Sequence, residues 1–142
     1  MPQPMTEEQR RTFLTRGTPS AVFTTIGSNG YPHAVPMWFA LDGDEILLNA
    51  GAETAKVMHL TRDRRVTILV HDDAPPYAFV MISGDAEVSH DPDEIRQGAE
   101  RIAGRYLDGE AARGWIDYAT SPGKVQIRVR PFKMVAIDRI AG

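Results

Sequence analysis

The sequence predicts a mainly β fold, an antiparallel β-barrel with helices at its periphery. Three observations support this prediction. Six or seven segments are rich in β-branched and aromatic residues. Tight turns join most of these segments, and such short connections suit antiparallel strands. A closed or nearly closed barrel removes the exposed edges that so many strands would otherwise have.

Composition narrows the class of protein. A chain of 142 residues with 42% hydrophobic and 25% charged residues, without a repeat or a linker, is expected to form a single domain over residues 1–142. Cysteine is absent, which excludes disulfides, thiol nucleophiles and thiolate metal sites. The net charge of −3 argues against a nucleic-acid partner. No apolar run has the length of a membrane span and the polar N-terminus lacks a signal-peptide core, so we expect a cytoplasmic protein without a membrane partner.

The first half of the chain is predicted to form a helix and then a meander of three strands. Thr6 and Gln9 have the spacing of a capping box, which predicts a short helix ending near Gly17. Pro36 lies inside the second strand, where proline is tolerated only at an edge or a bulge. The strands are predicted over 20–27, 33–41 and 45–50, with turns at Asn29-Gly30 and Asp42-Gly43.

The second half mixes strands with helices. Thr54 is predicted to cap a helix over 55–61, and Asp91-Pro92 to open a longer helix ending near Gly109. Ser83-Gly84 predicts a bulge, and Pro131 is expected to separate the last two strands. The remaining predicted elements are strands over 65–71, 77–90, 125–130 and 133–138 and a short helix over 110–119.

Standard catalytic and metal motifs are absent. The segment Gly27-Ser28-Asn29-Gly30 is not a G-x-S-x-G motif and is better explained as a hairpin turn. No P-loop occurs. The four histidines, at positions 33, 59, 71 and 90, do not have metal-ligand spacing. We therefore predict neither a metal site nor a catalytic side chain.

The segment from Gly51 to Lys56 resembles an anion site. A strand ends, a glycine turn follows, and a helix begins at Thr54 with amide groups that have no partner within the helix. Lys56 is unfavourable in a first helical turn, and a bound anion would reverse the sign of that interaction. A solvated surface lysine remains the alternative. Nearby, Met37, Trp38 and Phe39 lie on a predicted strand, so one side of it either lines a groove or packs in a core or interface.

Residues 21–70 resemble the pyridoxamine-phosphate-oxidase-like split-barrel flavoproteins. The shared order is a strand, a turn with Gly30-Tyr31-Pro32, a strand with bulky residues, a third strand, a phosphate-binding turn with a lysine, and a helix. The segment FVMISGDAEV, over 79–88, resembles a later strand of the family. The resemblance extends from about Ser20 to Ile137 and implies an FMN-binding-like split barrel that forms a homodimer.

Within this group the chain is most similar to short members that bind the deazaflavin coenzyme F420. Pyridoxamine-phosphate oxidases typically carry an Arg-Lys pair at the phosphate turn, whereas this chain has Ala55-Lys56. They also have a longer C-terminal segment, and this sequence ends at Gly142. Both differences argue against vitamin B6 oxidation, and FMN remains the alternative cofactor.

The resemblance also implies roles for individual residues. Lys56 would contact the cofactor phosphate, assisted by Thr54 and by the amide groups of the helix start at Ala55. His33 would lie near the ring and assist binding or protonation. The backbone along the ring would come from Val35, Pro36, Met37, Asn49, Ala50 and Gly51, and the partner subunit would close the site with Tyr77, Phe79 and Trp115.

The implied activity is transfer of a hydride from reduced deazaflavin to a small unsaturated or conjugated substrate, with the protein supplying binding and orientation. Three alternatives stay open. The first is an FMN-dependent oxidoreductase. The second is a non-catalytic protein that binds a flavin, a deazaflavin or haem. The third is an interaction module whose aromatic residues serve only in packing.

Overall fold

The computed structural model describes residues 1–141, which form one antiparallel sheet and four helices. The mainly β fold with peripheral helices is therefore confirmed. No helix within these residues has the length and hydrophobicity needed to cross a membrane. The strands are β1 (Gln3–Pro4), β2 (Ala21–Ile26), β3 (Pro32–Met37), β4 (Ala40–Asp42), β5 (Glu45–Gly51), β6 (Arg65–Asp72), β7 (Ala78–Ser89) and β8 (Lys124–Asp138). The helices are α1 (Glu7–Thr15), α2 (Ala55–Leu60), α3 (Pro92–Tyr106) and α4 (Gly109–Ala119).

The strand order is β3-β2-β6-β7-β8-β5-β4, and the short strand β1 pairs with β8. The two end strands, β3 and β4, are consecutive in the chain but do not pair with each other in the part of the chain described. The barrel is therefore split along a seam between β3 and the β4–β5 hairpin. A seam of this kind leaves room for a groove between strands that a closed barrel would join.

The predicted meander of three strands is wrong in one respect. The segment predicted as one strand over 33–41 divides into β3 and β4, because Trp38 and Phe39 carry the chain from one edge of the sheet to the other. Phe39 is completely buried. Trp38 thus lies between strands, and β3 pairs with β2 rather than with β5. Pro36 lies on an edge strand, as its missing amide requires.

The last strand also differs from the prediction. Pro131 does not divide it, and β8 runs without a break for 15 residues. The bulge expected at Ser83-Gly84 is present, since Ser83 pairs with Lys133 while Gly84 pairs with Pro131. The extra residue is Phe132, which lies on β8. A bulge accommodates a proline because one residue leaves the hydrogen-bonding ladder there.

The ends of α1 follow the sequence closely. Thr6 and Gln9 form both hydrogen bonds of the capping box, and Gly17 has a φ of +60° just after the helix. A left-handed glycine after the last helical turn is a common way to end a helix. The predicted start and stop signals are therefore confirmed.

Alternate residues of the central strands fill the barrel. Phe23, Ile68, Val80 and Ile127 are all inaccessible to solvent and belong to one core cluster. The other face of the sheet also carries an apolar row. Directly paired positions place one row of side chains across five strands: Pro36, Val22, Leu69, Met81 and Val135. We call this set the outer row.

One close contact fixes α3 against β8. A Cβ atom on Gly98 would lie 1.8 Å from the buried Oε1 of Gln126, so the glycine makes room for the amide. We expect Gly98→Ala to destabilise the protein by about 1–3 kcal/mol through overpacking, although alanine favours a helix. Chemical denaturation measures the effect. The second change Gln126→Ala should recover much of the loss, and a stabilised single variant would contradict this contact.

Candidate cofactor-binding site

A groove of about 540 Å³ lies in the seam. The ends of β3 and β5 form its floor, and the start of α2, the start of β8 and one side of α4 form its walls. Its volume lies within the range of small-molecule sites. The groove is lined by Ser20, Pro36, Met37, Trp38, Asn49, Ala50, Gly51, Thr54, Lys56, Ile102, Trp115, Tyr118 and Lys124.

One end of the groove is cationic. Lys56 lies in the first turn of α2, and Lys124 is brought beside it because Lys124 pairs with Gly51 across β5 and β8. No carboxylate lines the groove, and neither lysine forms an ion pair within residues 1–141. Two ammonium groups that share a half-buried site without a counter-charge favour an anionic ligand.

The lysines influence each other and the tyrosine beside them. Burial lowers the pKa of Lys56, and the positive charge of Lys124 lowers it further. The Nζ atom of Lys124 lies 3.9 Å from the centre of the Tyr118 ring, and hydrogen bonding to Lys124 lowers the pKa of Tyr118. A bound anion would remove the repulsion between the ammonium groups and raise the pKa of Lys56.

Thr54 does not cap α2 as predicted. Its hydroxyl donates a hydrogen bond to the carbonyl oxygen of Gly51 at 2.8 Å, so it makes no side-chain cap bond. The amide groups of the first turn, including that of Ala55, therefore keep no side-chain acceptor. The threonine instead closes the turn that follows β5. The Thr54 side chain still lines the groove.

Aromatic rings also line the groove, and we call Trp38 and Trp115, together with Tyr106 that stacks on Trp38, the aromatic wall. The rings of Trp38 and Tyr106 are stacked, with centres 4.7 Å apart and an interplanar angle of 5°. Trp115, from α4, lies 5.8 Å from Trp38 at an angle of 43°. The groove thus joins a cationic end to a wall of flat rings, which suits an anionic ligand with a planar ring system.

The structure brings together many of the residues that the sequence selected. Ile102, Tyr118 and Lys124 were not anticipated, because their elements meet the groove only in the folded barrel. Trp115, assigned from the sequence to a partner subunit, lines the groove of its own protomer. The selected residues that line the groove are Pro36, Met37, Asn49, Ala50, Gly51, Thr54 and Lys56.

Other selected residues lie outside this groove within one protomer. His33 is paired with Thr25, and its ring packs edge-to-face on His59 at 5.2 Å. Val35 alternates with Pro36 and belongs to the opposite face of β3. Tyr77 and Phe79 line a separate apolar cavity of about 500 Å³. Among residues 1–141, no three His, Cys, Asp or Glu side chains are grouped to hold a metal ion.

The sequence profile of the pyridoxamine 5'-phosphate oxidase family matches residues 6–137. The chain belongs to this family. The fold is therefore the split barrel of pyridoxamine 5'-phosphate oxidase-like proteins, a family that includes flavin- and F420-dependent oxidoreductases. No curated protein is similar enough in sequence to count as a match.

Several solved structures are similar to this chain in fold. A conserved hypothetical protein from Mycobacterium tuberculosis has a TM-score of 0.84 and 26% identity, over 95% of this chain and 86% of that one. An F420 reductase has a TM-score of 0.63 and 22% identity, over 87% of this chain and 94% of that one. A FAD-binding protein from Mesorhizobium loti has a TM-score of 0.74 and 14% identity, over 96% and 97%.

Proposed function

We propose that this protein is a deazaflavin (F420)-dependent oxidoreductase that transfers a hydride to a small unsaturated or conjugated substrate. One observation carries the proposal: the groove combines Lys56 and Lys124, without a carboxylate, with a wall of aromatic rings. An anionic cofactor with a planar ring system satisfies both features. Family membership supports a cofactor of this chemical class.

One sequence difference argues against vitamin B6 oxidation, and one solved structure suggests deazaflavin as the cofactor. The phosphate turn has Ala55-Lys56 where vitamin B6 oxidases typically carry Arg-Lys. The F420 reductase structure also resembles this chain over most of both lengths. FMN remains the second candidate, because a FAD-binding protein has the same fold.

Different residues of the groove would bind different parts of the cofactor. Lys56 and Lys124 would hold the phosphate by charge-assisted hydrogen bonds, together with amide groups of the first turn of α2. The β3 and β5 backbone beside Met37 and Ala50 would orient the ring. A reduced deazaflavin supplies a hydride when bound. Trp38 and Trp115 exclude water from the side of the groove where an acceptor would lie.

Few groups in the groove can hold a proton. Besides the two lysines, Tyr118 is the titratable side chain that lines it. Tyr118 is 59% exposed, so water reaches this end of the groove. The proton that accompanies hydride transfer is accordingly assigned to solvent, either directly or through the Tyr118 hydroxyl.

We also propose that the protein acts as a homodimer with the site at the subunit interface. The outer row is apolar across five strands, whereas a sheet face exposed to water is ordinarily polar. Pro36 belongs both to the outer row and to the groove. A second copy packed on this face would therefore also close the groove. Phe79 pairs with Ile137 in the neighbouring row, which places it on the same face.

The dimer is tested by placing a charge in the outer row. Leu69→Asp should give a monomer in light scattering, because an unpaired carboxylate is costly to bury at an interface. Binding of the cofactor should weaken in the same variant. Met58→Asp is the control, since Met58 is 51% exposed on α2 outside the outer row. A wild-type monomer, or a Leu69→Asp dimer with unchanged affinity, would contradict the proposed interface.

The function is tested by titrating the purified protein with deazaflavin and with FMN. Quenching of the fluorescence of Trp38 and Trp115 should report binding, because both rings line the groove. We expect tighter binding of deazaflavin, and oxidation of added reduced deazaflavin when an enone or a quinone is supplied as the acceptor. Tighter binding of FMN would favour the FMN-dependent enzyme. Binding without turnover with any acceptor would favour a carrier, and absence of binding would refute the proposal.

A further inference from the structure

The aromatic wall is held in place by hydrogen bonds and ring contacts around Tyr106. The Tyr106 hydroxyl donates a hydrogen bond to the Pro19 carbonyl oxygen at 2.6 Å and accepts one from the Phe39 amide at 3.3 Å. The guanidinium group of Arg105 lies 5.5 Å from the centre of the Tyr106 ring. Tyr106 is thereby fixed from three sides, and it fixes the indole of Trp38 that stacks on it.

Trp38 keeps part of its surface exposed despite this support. The residue is 37% accessible to solvent. One face of its ring packs on Tyr106, and Trp115 is inclined at 43°, so it does not cover the ring by stacking. A fixed indole with an open surface in a groove is preorganised to receive another flat ring, since the entropy of ordering the side chain is already lost.

Trp38 is better placed to contact the acceptor than the phosphate-bearing tail of the cofactor. Trp38 follows Met37, whose backbone is proposed to lie along the cofactor ring, whereas the two lysines belong to α2 and β8, where the phosphate is proposed to bind. Those lysines disfavour a cationic molecule, and no carboxylate lines the groove to bind one.

We propose that Trp38, with Trp115 beside it, determines substrate class by stacking a flat conjugated ring that is neutral or anionic. This inference rests on the proposed function and narrows its acceptor. A quinone is an example of such an acceptor. It would take one hydride from the reduced deazaflavin and one proton from water, giving the hydroquinone and the oxidised deazaflavin. A non-planar acceptor of the same charge would gain little from the indole.

Two uncharged probes test this inference. Menadione has a flat two-ring system, and 2-cyclohexen-1-one has a single puckered ring. Equilibrium dialysis gives the affinity of the protein for each probe, and steady-state assays with reduced deazaflavin give kcat/KM for each. For Trp38→Leu we expect about a tenfold or greater loss for menadione, the size of a lost stacking interaction, and less than about a threefold change for cyclohexenone.

Further variants separate stacking from damage to the fold. Trp38→Phe keeps a ring and should retain most of the selectivity for menadione, while Trp115→Leu should lose part of it. Tyr31→Leu is the matched control, because Tyr31 is 73% exposed in the turn between β2 and β3. The affinity for deazaflavin is measured in all four variants, and kcat/KM is taken at a saturating concentration of reduced deazaflavin, so a loss of cofactor affinity does not enter the comparison of the two probes. Equal losses for both probes, or no loss for menadione in Trp38→Leu, would overturn the inference.

Dialysis also separates this inference from the proposed function. If the protein bound neither deazaflavin nor FMN, the proposed function would fall. Preferential binding of menadione that depends on Trp38 would then still support stacking of a flat ring on this residue. If the wild-type protein bound neither probe, or bound both with equal affinity, the proposed stacking on Trp38 would be refuted whether or not the cofactor binds.

Discussion

Lys56→Met is expected to weaken binding of deazaflavin about 10- to 100-fold. A hydrogen bond to a charged group contributes about 1.5–3 kcal/mol, and each 1.4 kcal/mol changes a dissociation constant tenfold. Lys56 is half-buried and lines the groove, and no carboxylate there competes with a bound anion for its ammonium group. Fluorescence titration measures the change.

The same variant should not destabilise the protein without cofactor. Burial and the charge of Lys124 both disfavour the charged form of Lys56, as its lowered pKa shows. The free energy of unfolding should therefore stay the same or rise slightly when methionine replaces the ammonium group. Loss of affinity without loss of stability is typical of a residue that serves a ligand rather than the fold.

A control variant and a pH series sharpen this test. Arg62→Met removes one positive charge just after α2, outside the groove, and should leave the affinity within about threefold of wild type. The affinity should fall as the pH rises through the lowered pKa of Lys56, because the neutral amine no longer attracts the anion. Removing the charge of Lys124 raises that pKa, so in Lys124→Met the fall should move to higher pH. Equal losses in Arg62→Met and Lys56→Met would show a nonspecific effect of net charge.

The largest effect on stability is expected for Gly84→Ala. A Cβ atom at this position would lie 2.5 Å from the carbonyl oxygen of Arg130 and 3.1 Å from the Cα atom of Pro131. Both are backbone atoms at the bulge between β7 and β8, so no side chain can rotate away. The bulge would have to open, and we expect a loss of about 3 kcal/mol in the free energy of unfolding.

Gly104→Ala is the matched control for Gly84→Ala. Gly104 lies in α3, and a Cβ atom there would meet nothing within 4 Å. Alanine should stabilise this helix by up to about 1 kcal/mol. Urea denaturation of the two variants should therefore shift the midpoint in opposite directions. A Gly84→Ala variant as stable as wild type would mean that the strands do not approach this closely at the bulge.

The sequence predicted features that depend on neighbouring residues. The capping box at Thr6 and Gln9, the edge position of Pro36 and the bulge at Gly84 each follow from local geometry that a residue type demands or forbids. The turn from Gly51 to Lys56 was found in the same way, since a helix that follows a strand exposes free amide groups. Only its detail differs, because the Thr54 hydroxyl bonds back to Gly51 instead of capping α2.

Features that depend on distant pairing were not predictable. Lys124 lies nearly half the chain after Lys56 in sequence, and only the pairing of β5 with β8 places them together. Trp38 has the pattern of a strand residue, yet it crosses from one sheet edge to the other because Phe39 is buried and Trp38 stacks on Tyr106. No local signal distinguishes such a crossing from a continuous strand. The aromatic wall therefore emerged only from the folded barrel.

In the proposed site, the anionic part of an aromatic cofactor binds between Lys56 and Lys124. This placement is tested by comparing the affinity of the wild-type protein for deazaflavin F420 with that for the riboflavin-like deazaflavin that lacks the phosphate-bearing tail. Both ligands present the same ring to the groove. We predict at least tenfold tighter binding of the phosphorylated form, with the preference abolished in Lys56→Met. Equal affinities for the two forms in the wild-type protein would contradict the site.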